Sequence, residues 1–322
     1  MTGHGRATEF FFPAESDRWL SAFRIGLGVV VVSYAWPLRT DWNDLYAATG
    51  RGLVSRELFE ALVYNQSPFI PKLGWLVWGS GRFGLTEEFA LSLAWLLLLA
   101  AGVCLVIGLF TRSAAIVAWF LQLAAAKTGG LFSYGADNFI TIGLFYLMIA
   151  PHPDRWSWDW LRDRPRLPDL NRLGFHRRVL QIHLCLIYFF SGLTKCLGAG
   201  WWDGENLWRA LTSPPFDQLP IAIVASFSPL LPALGVFICL LEIGYAFLIW
   251  PNWSRRAVLA CACAMHLAIA LLMGMYLFGV IMLVLNVAAF GVDGPWRRTA
   301  VEASRAPPDA GGLQIARQKA RQ

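Results

Sequence analysis

The sequence is poor in charge. Asp, Glu, Lys and Arg make up only 15% of its 322 residues, and 57% are hydrophobic; soluble domains carry about 25% charged and about 45–50% apolar residues. That imbalance excludes an ordinary water-soluble globule. It also lacks cysteine in any long polar loop. Cys104, Cys185, Cys196, Cys239, Cys261 and Cys263 all lie in or at the end of apolar runs. This excludes a disulfide framework and leaves them as small buried hydrophobes. The first apolar run starts near residue 19 with no small-residue cleavage site after it, so no secretory signal peptide is expected. There is no internal repeat.

What the sequence has instead is long apolar runs, a mean hydropathy of +0.49 and 16 tryptophans, a residue that favours membrane–water interfaces. A helix needs about 20 mostly apolar residues to cross the hydrocarbon core. Eight candidate spans result: Trp19–Leu38, Phe89–Phe110, Ala114–Lys127, Asn138–Ala150, Val179–Cys196, Pro229–Trp250, Ala257–Met273 and Tyr276–Phe290, the last two a hairpin around Gly274. The expected fold is an all-α polytopic bundle. Its main partner is the lipid bilayer.

The loops between these runs alternate in charge. With the N-terminus inside, the inner segments carry Arg6 and Arg18, then Arg112, then seven arginines from Arg155 to Arg178, then Arg255 and Arg256, then the tail from Arg297. The positive-inside pattern places both termini in the cytoplasm, for a multi-pass protein of the cell inner membrane. These inner arginines account for the net charge of +6 without nucleic acid. Residues 1–17 read as a cytoplasmic segment, 18–296 as the transmembrane domain and 297–322 as a disordered polar tail. Residues 39–88, with a helix-like stretch around Val54–Tyr64, read as an interfacial cap over the outer face.

Polar groups inside an apolar span face a partner or a cavity. Arg24 and Glu242 lie at roughly 8 and 12 Å from the inner edge at 1.5 Å per residue, and are expected to form a structural ion pair. His266 is three residues after Cys263, on the same helix face. Two ligands from one turn fall short of a zinc site, so no metal is expected.

The fifth span carries the clearest pattern. Gln181, Tyr188 and Lys195 are seven apart, with Ser191 between the last two, on one face. Gly192 leaves room for a neighbouring helix. Lys195, followed by "GAGWWDG" with Trp202 and Asp203, could be an anchor at the outer boundary or a base at the mouth of a site. Its place in the stripe and the aromatic loop favour a site, because a partly desolvated lysine can act as a base. "KTGGLFSYGADN" joins two short spans, and Tyr134, Asp137 and Asn138 in it are the expected outer neighbours of Lys195. The competing reading is a tight loop with Asp137 capping a helix.

The stretch "LQIHLCLIYFFSGLTKCLGAGWWDG" resembles vitamin K-dependent gamma-carboxylases, as do "FRIGLGVVVVSY", "YGADNFITIGLFYLMIAP" and "MHLAIALLMGMYLFGVIMLVLN". Together they cover most of residues 18–291. The wider group is the horizontally transferred transmembrane (HTTM) domain, which includes the bacterial sporulation-delaying protein B family. The resemblance implies that Lys195 is the base that deprotonates a membrane quinol. Tyr188, Asp137 and His266 would then join it in catalysis, and Tyr134, Asn138, Ser191, Trp202 and Asp203 would bind substrate. Three departures stand out. Thr194 replaces the first of two adjacent lysines, "GADN" replaces a histidine, and no lumenal peptide-gripping domain follows. The expected functions are therefore a quinol-dependent membrane enzyme, or an auxiliary protein that helps mature, export or confer immunity to a secreted peptide, acting with a partner membrane protein. A third is a transporter using Arg24, Glu242 and His266 as a polar core.

Overall fold

The computed structural model describes residues 8–48, 55–130 and 133–292. Among them there is no strand. The main helices are α1 (Arg18–Ala35), α2 (Trp42–Tyr46), α3 (Arg56–Gln66), α4 (Leu73–Gly81), α5 (Glu87–Ile107), α6 (Thr111–Thr128), α7 (Gly135–Ile149) and α8 (Trp158–Asp163). They continue as α9 (Leu170–Cys196), α10 (Glu205–Thr212), α11 (Ile221–Phe227), α12 (Leu231–Leu248), α13 (Asn252–Leu272) and α14 (Tyr276–Asn286). Among the described residues, five stretches are long and apolar enough to cross a membrane: Arg18–Arg39, Glu87–Ile107, Leu170–Cys196, Ile221–Leu248 and Asn252–Leu272. Gly135–Ile149 and Tyr276–Gly291 are shorter apolar helices. This is the pattern of a multi-pass membrane protein. Leu96, Phe190, Leu240, Phe247 and Leu271 are all exposed, an outward apolar surface that suits lipid rather than water.

The helices form two packed groups. α1 crosses α5 and also touches α7, while α6 lies between α5 and α7. α9 packs along α12, which touches α13. α14 contacts α1, α7 and α13 and so joins the groups. Small residues permit close crossings: a Cβ on Gly28 would come within 2.7 Å of the Val106 backbone, and one on Gly102 within 2.9 Å of Val31. Lipid tails are as apolar as leucine, so close backbone packing takes over from the hydrophobic effect between such helices.

Local signals set several helix ends. Thr86 caps α5 through the Phe89 N–H, and Asp169 caps α9 through Asn171. α5 stops at Gly108, whose φ of +79° favours glycine. A left-handed residue with no side chain also leaves space there, since a Cβ would lie 2.9 Å from the Arg24 guanidinium carbon.

Each of the eight apolar runs is helical, with shifted ends. α9 begins at Leu170, nine residues before the expected Val179, so Arg172, Arg177 and Arg178 lie on a helix rather than in a loop. Gly274 has a φ of +69° and turns α13 into α14. In the region from 39 to 88, the helices α2, α3 and α4 pack on α5 and α6. The expected tail 297–322 and residues 1–7 lie outside the described residues. Residues 8–17 dock on α9, with Glu15 paired to Arg177 at 2.9 Å and Phe12 stacked on Phe175 at 5.0 Å.

Candidate functional site

Lys195 belongs to the last turn of α9. Its Nζ lies 2.6 Å from Glu242 Oε2 on α12 and donates to Ser191 Oγ at 2.6 Å. Gly192 makes this meeting possible. A Cβ there would lie 2.8 Å from the Ile243 nitrogen and 2.9 Å from Glu242 Cβ, so only glycine lets the helices close at this level. The Trp201 ring flanks the ammonium, 5.3 Å from ring centroid to Nζ.

Lys195 is near the end of α9 but meets α12 well inside that helix. Glu242 is the twelfth residue of α12, roughly 16 Å along it at 1.5 Å per residue. The first turns of α12 therefore run past the end of α9, where they pack on the short turn Ala199–Trp201 and on α10. The ammonium points toward α12 and borders the cavity between the helices.

A hydrogen-bond chain runs beside the pair. The Tyr245 hydroxyl donates to Asn286 Oδ1 at 2.8 Å. Asn286 Nδ2 donates to the Met282 carbonyl and to the Tyr188 hydroxyl oxygen, both at 2.8 Å. The Met282 carbonyl can only accept, which fixes the amide orientation. Tyr188 is thus an acceptor from Asn286, and its own proton goes to His266 Nε2, 2.6 Å away. His266 must then carry its proton on Nδ1. That nitrogen is buried and has no partner among the described residues.

The ion pair and the Tyr188–His266 end of this hydrogen-bond chain share one cavity of about 640 Å³. Tyr188, Ser191, Lys195, Glu242 and His266 line it, and the rest of the wall is mostly apolar, including Phe139, Ile187, Phe237, Met265, Leu272 and Phe278. Such a site presents an ion pair and hydroxyls to the polar part of a ligand and hydrocarbon to the remainder.

Four sequence candidates therefore meet: Tyr188, Ser191, Lys195 and His266. Several others do not. Trp202 is exposed and ties its loop by donating to the Cys196 carbonyl at 2.9 Å, leaving Trp201 on the cavity wall. Asp203 is exposed and caps α10 through Glu205 N–H at 2.9 Å. Tyr134 and Asp137 line a different pocket, and Asn138 is exposed on α7. Gln181 is spent on structure, donating to the Ala289 carbonyl and accepting from Arg178.

The expected Arg24–Glu242 pair is not formed. Arg24 is fully buried and binds Asp154 instead, Nε to Oδ2 at 2.8 Å and Nη2 to Oδ1 at 3.2 Å. Its other hydrogens go to the carbonyls of Leu105, Val106 and Trp156. Similar depths are not proximity: the helix carrying Arg24 packs with α5 and α7, while Glu242 sits across from α9. Arg24, Glu242 and His266 therefore do not form one polar core. Sequence reasoning missed Asp154 because it lies in the loop "APHPDRW", outside any span.

No family model matches the chain. It is similar to the "Uncharacterized protein YitO" of Bacillus subtilis (strain 168), 22% identical over 267 residues, covering 77% of this chain and 85% of that one. No solved structure matches it.

Proposed function

We propose that the protein is a membrane enzyme of the HTTM group in which the Lys195–Glu242 pair takes a proton from a ring hydroxyl of a lipid quinol. The observation that carries the reading is the amphiphilic cavity, with its ion pair beside apolar walls. A quinol has a hydroxylated ring for the polar groups and a tail for the walls. The ring O–H bond breaks and its proton passes to the Glu242 carboxylate. The Lys195 ammonium stays as counter-charge to the phenolate formed. The base is then the pair as a unit, not the lysine alone. His266, held in one tautomer by Tyr188 and Asn286, forms part of the wall beside the ring.

In the same reading the chain crosses the inner membrane eight times with both termini cytoplasmic, and α2–α4 cap the outer face. The basic loops of the sequence support that orientation.

The test uses purified protein in nanodiscs and a short-tailed naphthoquinol. Binding is followed by tryptophan quenching and anion formation by absorbance. The wild type is expected to bind and to form the anion. Glu242→Gln and Lys195→Met should each lose anion formation by at least ten-fold, and His266→Ala should weaken binding. Variants that form the anion as the wild type does would sink the reading.

A further inference from the structure

A second pocket, of about 270 Å³, lies between α1, α2, α6 and α7 and is separate from the Lys195 cavity. It is lined by Tyr34, Tyr46, Tyr134 and Asp137, with Ser133 and apolar residues such as Leu38 completing it. Asp137 is only 3% exposed. Its Oδ2 accepts from the Tyr134 N–H at 2.9 Å and its Oδ1 from Gln122 Nε2 at 3.1 Å. Both donors are neutral. Among the described residues, the buried arginines Arg24, Arg56 and Arg177 pair with other carboxylates and buried Lys72 donates to the Glu60 carbonyl, and no basic side chain pairs with Asp137.

Asp137 is the third residue of α7 and closes its capping box, yet a buried carboxylate without a counter-charge remains unfavourable, and either a proton or a bound cation relieves it. A second orphan stands beside it. Gln122 is fully buried, donates to Asp137, and has its Oε1 unpartnered. The Tyr34 hydroxyl lies 3.3 Å from the Tyr46 hydroxyl. The charge to be supplied is therefore positive and hydrogen-bonding or polarising.

The nature of the walls selects the cation. One carboxylate is too few for a calcium-like ion, which takes six to eight oxygens. Three tyrosine rings around one anion are instead the arrangement that receives an organic ammonium through ring faces and charge. The volume suits a group of a few heavy atoms, since a water takes about 30 Å³.

We propose that this pocket binds a small organic ammonium group, either free or as a phospholipid headgroup. Asp137 supplies the charge, and Tyr34, Tyr46 and Tyr134 the aromatic faces.

The experiment is calorimetric titration of the full-length, delipidated protein in detergent with tetramethylammonium and, separately, ethanolammonium. 3,3-Dimethyl-1-butanol serves as the neutral isostere. Saturable binding of an ammonium but not of the alcohol is expected, weakened at least ten-fold in Asp137→Asn. Tyr134 is partly exposed, so Tyr134→Ala keeps the test alive if the first variant misfolds; it too should weaken binding several-fold. Repeating the titration in nanodiscs separates the sources. Affinity that falls in phosphatidylethanolamine relative to phosphatidylglycerol identifies a headgroup as occupant, and equal affinity identifies the free ion. Absence of saturable binding, equal binding of the alcohol, or unchanged affinity in both variants overturns the proposal.

Discussion

Two buried ion pairs divide the labour in this molecule. Arg24 and Asp154 are both fully buried, and the guanidinium spends its hydrogens on the carboxylate and three carbonyls. Asp154 is equally occupied, accepting also from Ser21 and the Trp156 N–H. That pair fastens the loop after α7 to α1 and to the end of α5. Nothing is left over for a ligand. Lys195 and Glu242 differ: their side chains retain 21% and 7% exposure, and both border a cavity. A saturated pair holds helices together. An unsaturated one, with hydrogens still to give and lone pairs still to accept, is available for chemistry.

The largest effect is expected at the saturated pair. Asp154→Asn leaves a buried guanidinium without its counter-charge, and removing one partner of a buried pair costs about 3–5 kcal/mol. Thermal unfolding in detergent should show severe destabilisation or failure to accumulate folded protein. The double change Lys195→Met with Glu242→Leu should keep most of the stability, because it removes both charges at once. A double variant as unstable as Asp154→Asn would erase the distinction between the pairs.

A middle-sized effect is expected at Gly192. Gly192→Val places a side chain where the Ile243 backbone and Glu242 Cβ now stand. α9 and α12 must separate, and overpacking of this kind costs about 1–3 kcal/mol. Ligand binding in the Lys195 cavity should fall more than stability does. If both fell in proportion, the glycine would be a packing residue alone.

The smallest effect belongs to the Arg24 end. His152, in the loop beside Asp154, has its pKa lowered, chiefly by desolvation, while its bond to the Leu147 carbonyl opposes the shift. A lowered folded pKa means the unfolded chain binds the proton more readily. The stability contributed is fully present above the ordinary histidine value of about 6.5 and is lost as pH falls below it. Melting temperature should decline modestly on acidification from pH 7 to 5. His152→Gln, which can still donate to Leu147, should flatten that slope; an unaltered slope would assign it to other groups.

Much of the Lys195 site was legible because helical periodicity reports faces directly. Tyr188, Ser191 and Lys195 lie on one stripe, and the stripe does turn inward. His266 stood out as a polar residue in an apolar run. Glu242 was visible for the same reason, but its partner was not, since pairing across the bundle depends on which helices touch. Trp201 and Trp202 are adjacent and chemically alike, and only the turn Ala199–Trp201 decides which ring meets the cavity. The separation of Asp137 from Lys195 was equally hidden. Both lie near ends of apolar helices, yet their helices belong to different packed groups.

The amino-acid sequence determined the class of molecule: its apolar runs, small residues and sparse charge permit helices in a lipid-like surround and little else, because an unpaired backbone in hydrocarbon is too costly. It also determined which residues are too polar to face lipid. The tertiary structure alone decided what each of them faces. Arg24 meets a loop carboxylate, Lys195 meets Glu242 through the gap at Gly192, and Asp137 meets tyrosines and an amide. Coulomb energy and hydrogen bonding act over a few ångströms, and distances on that scale are set by the packing of whole helices, not by positions along the chain.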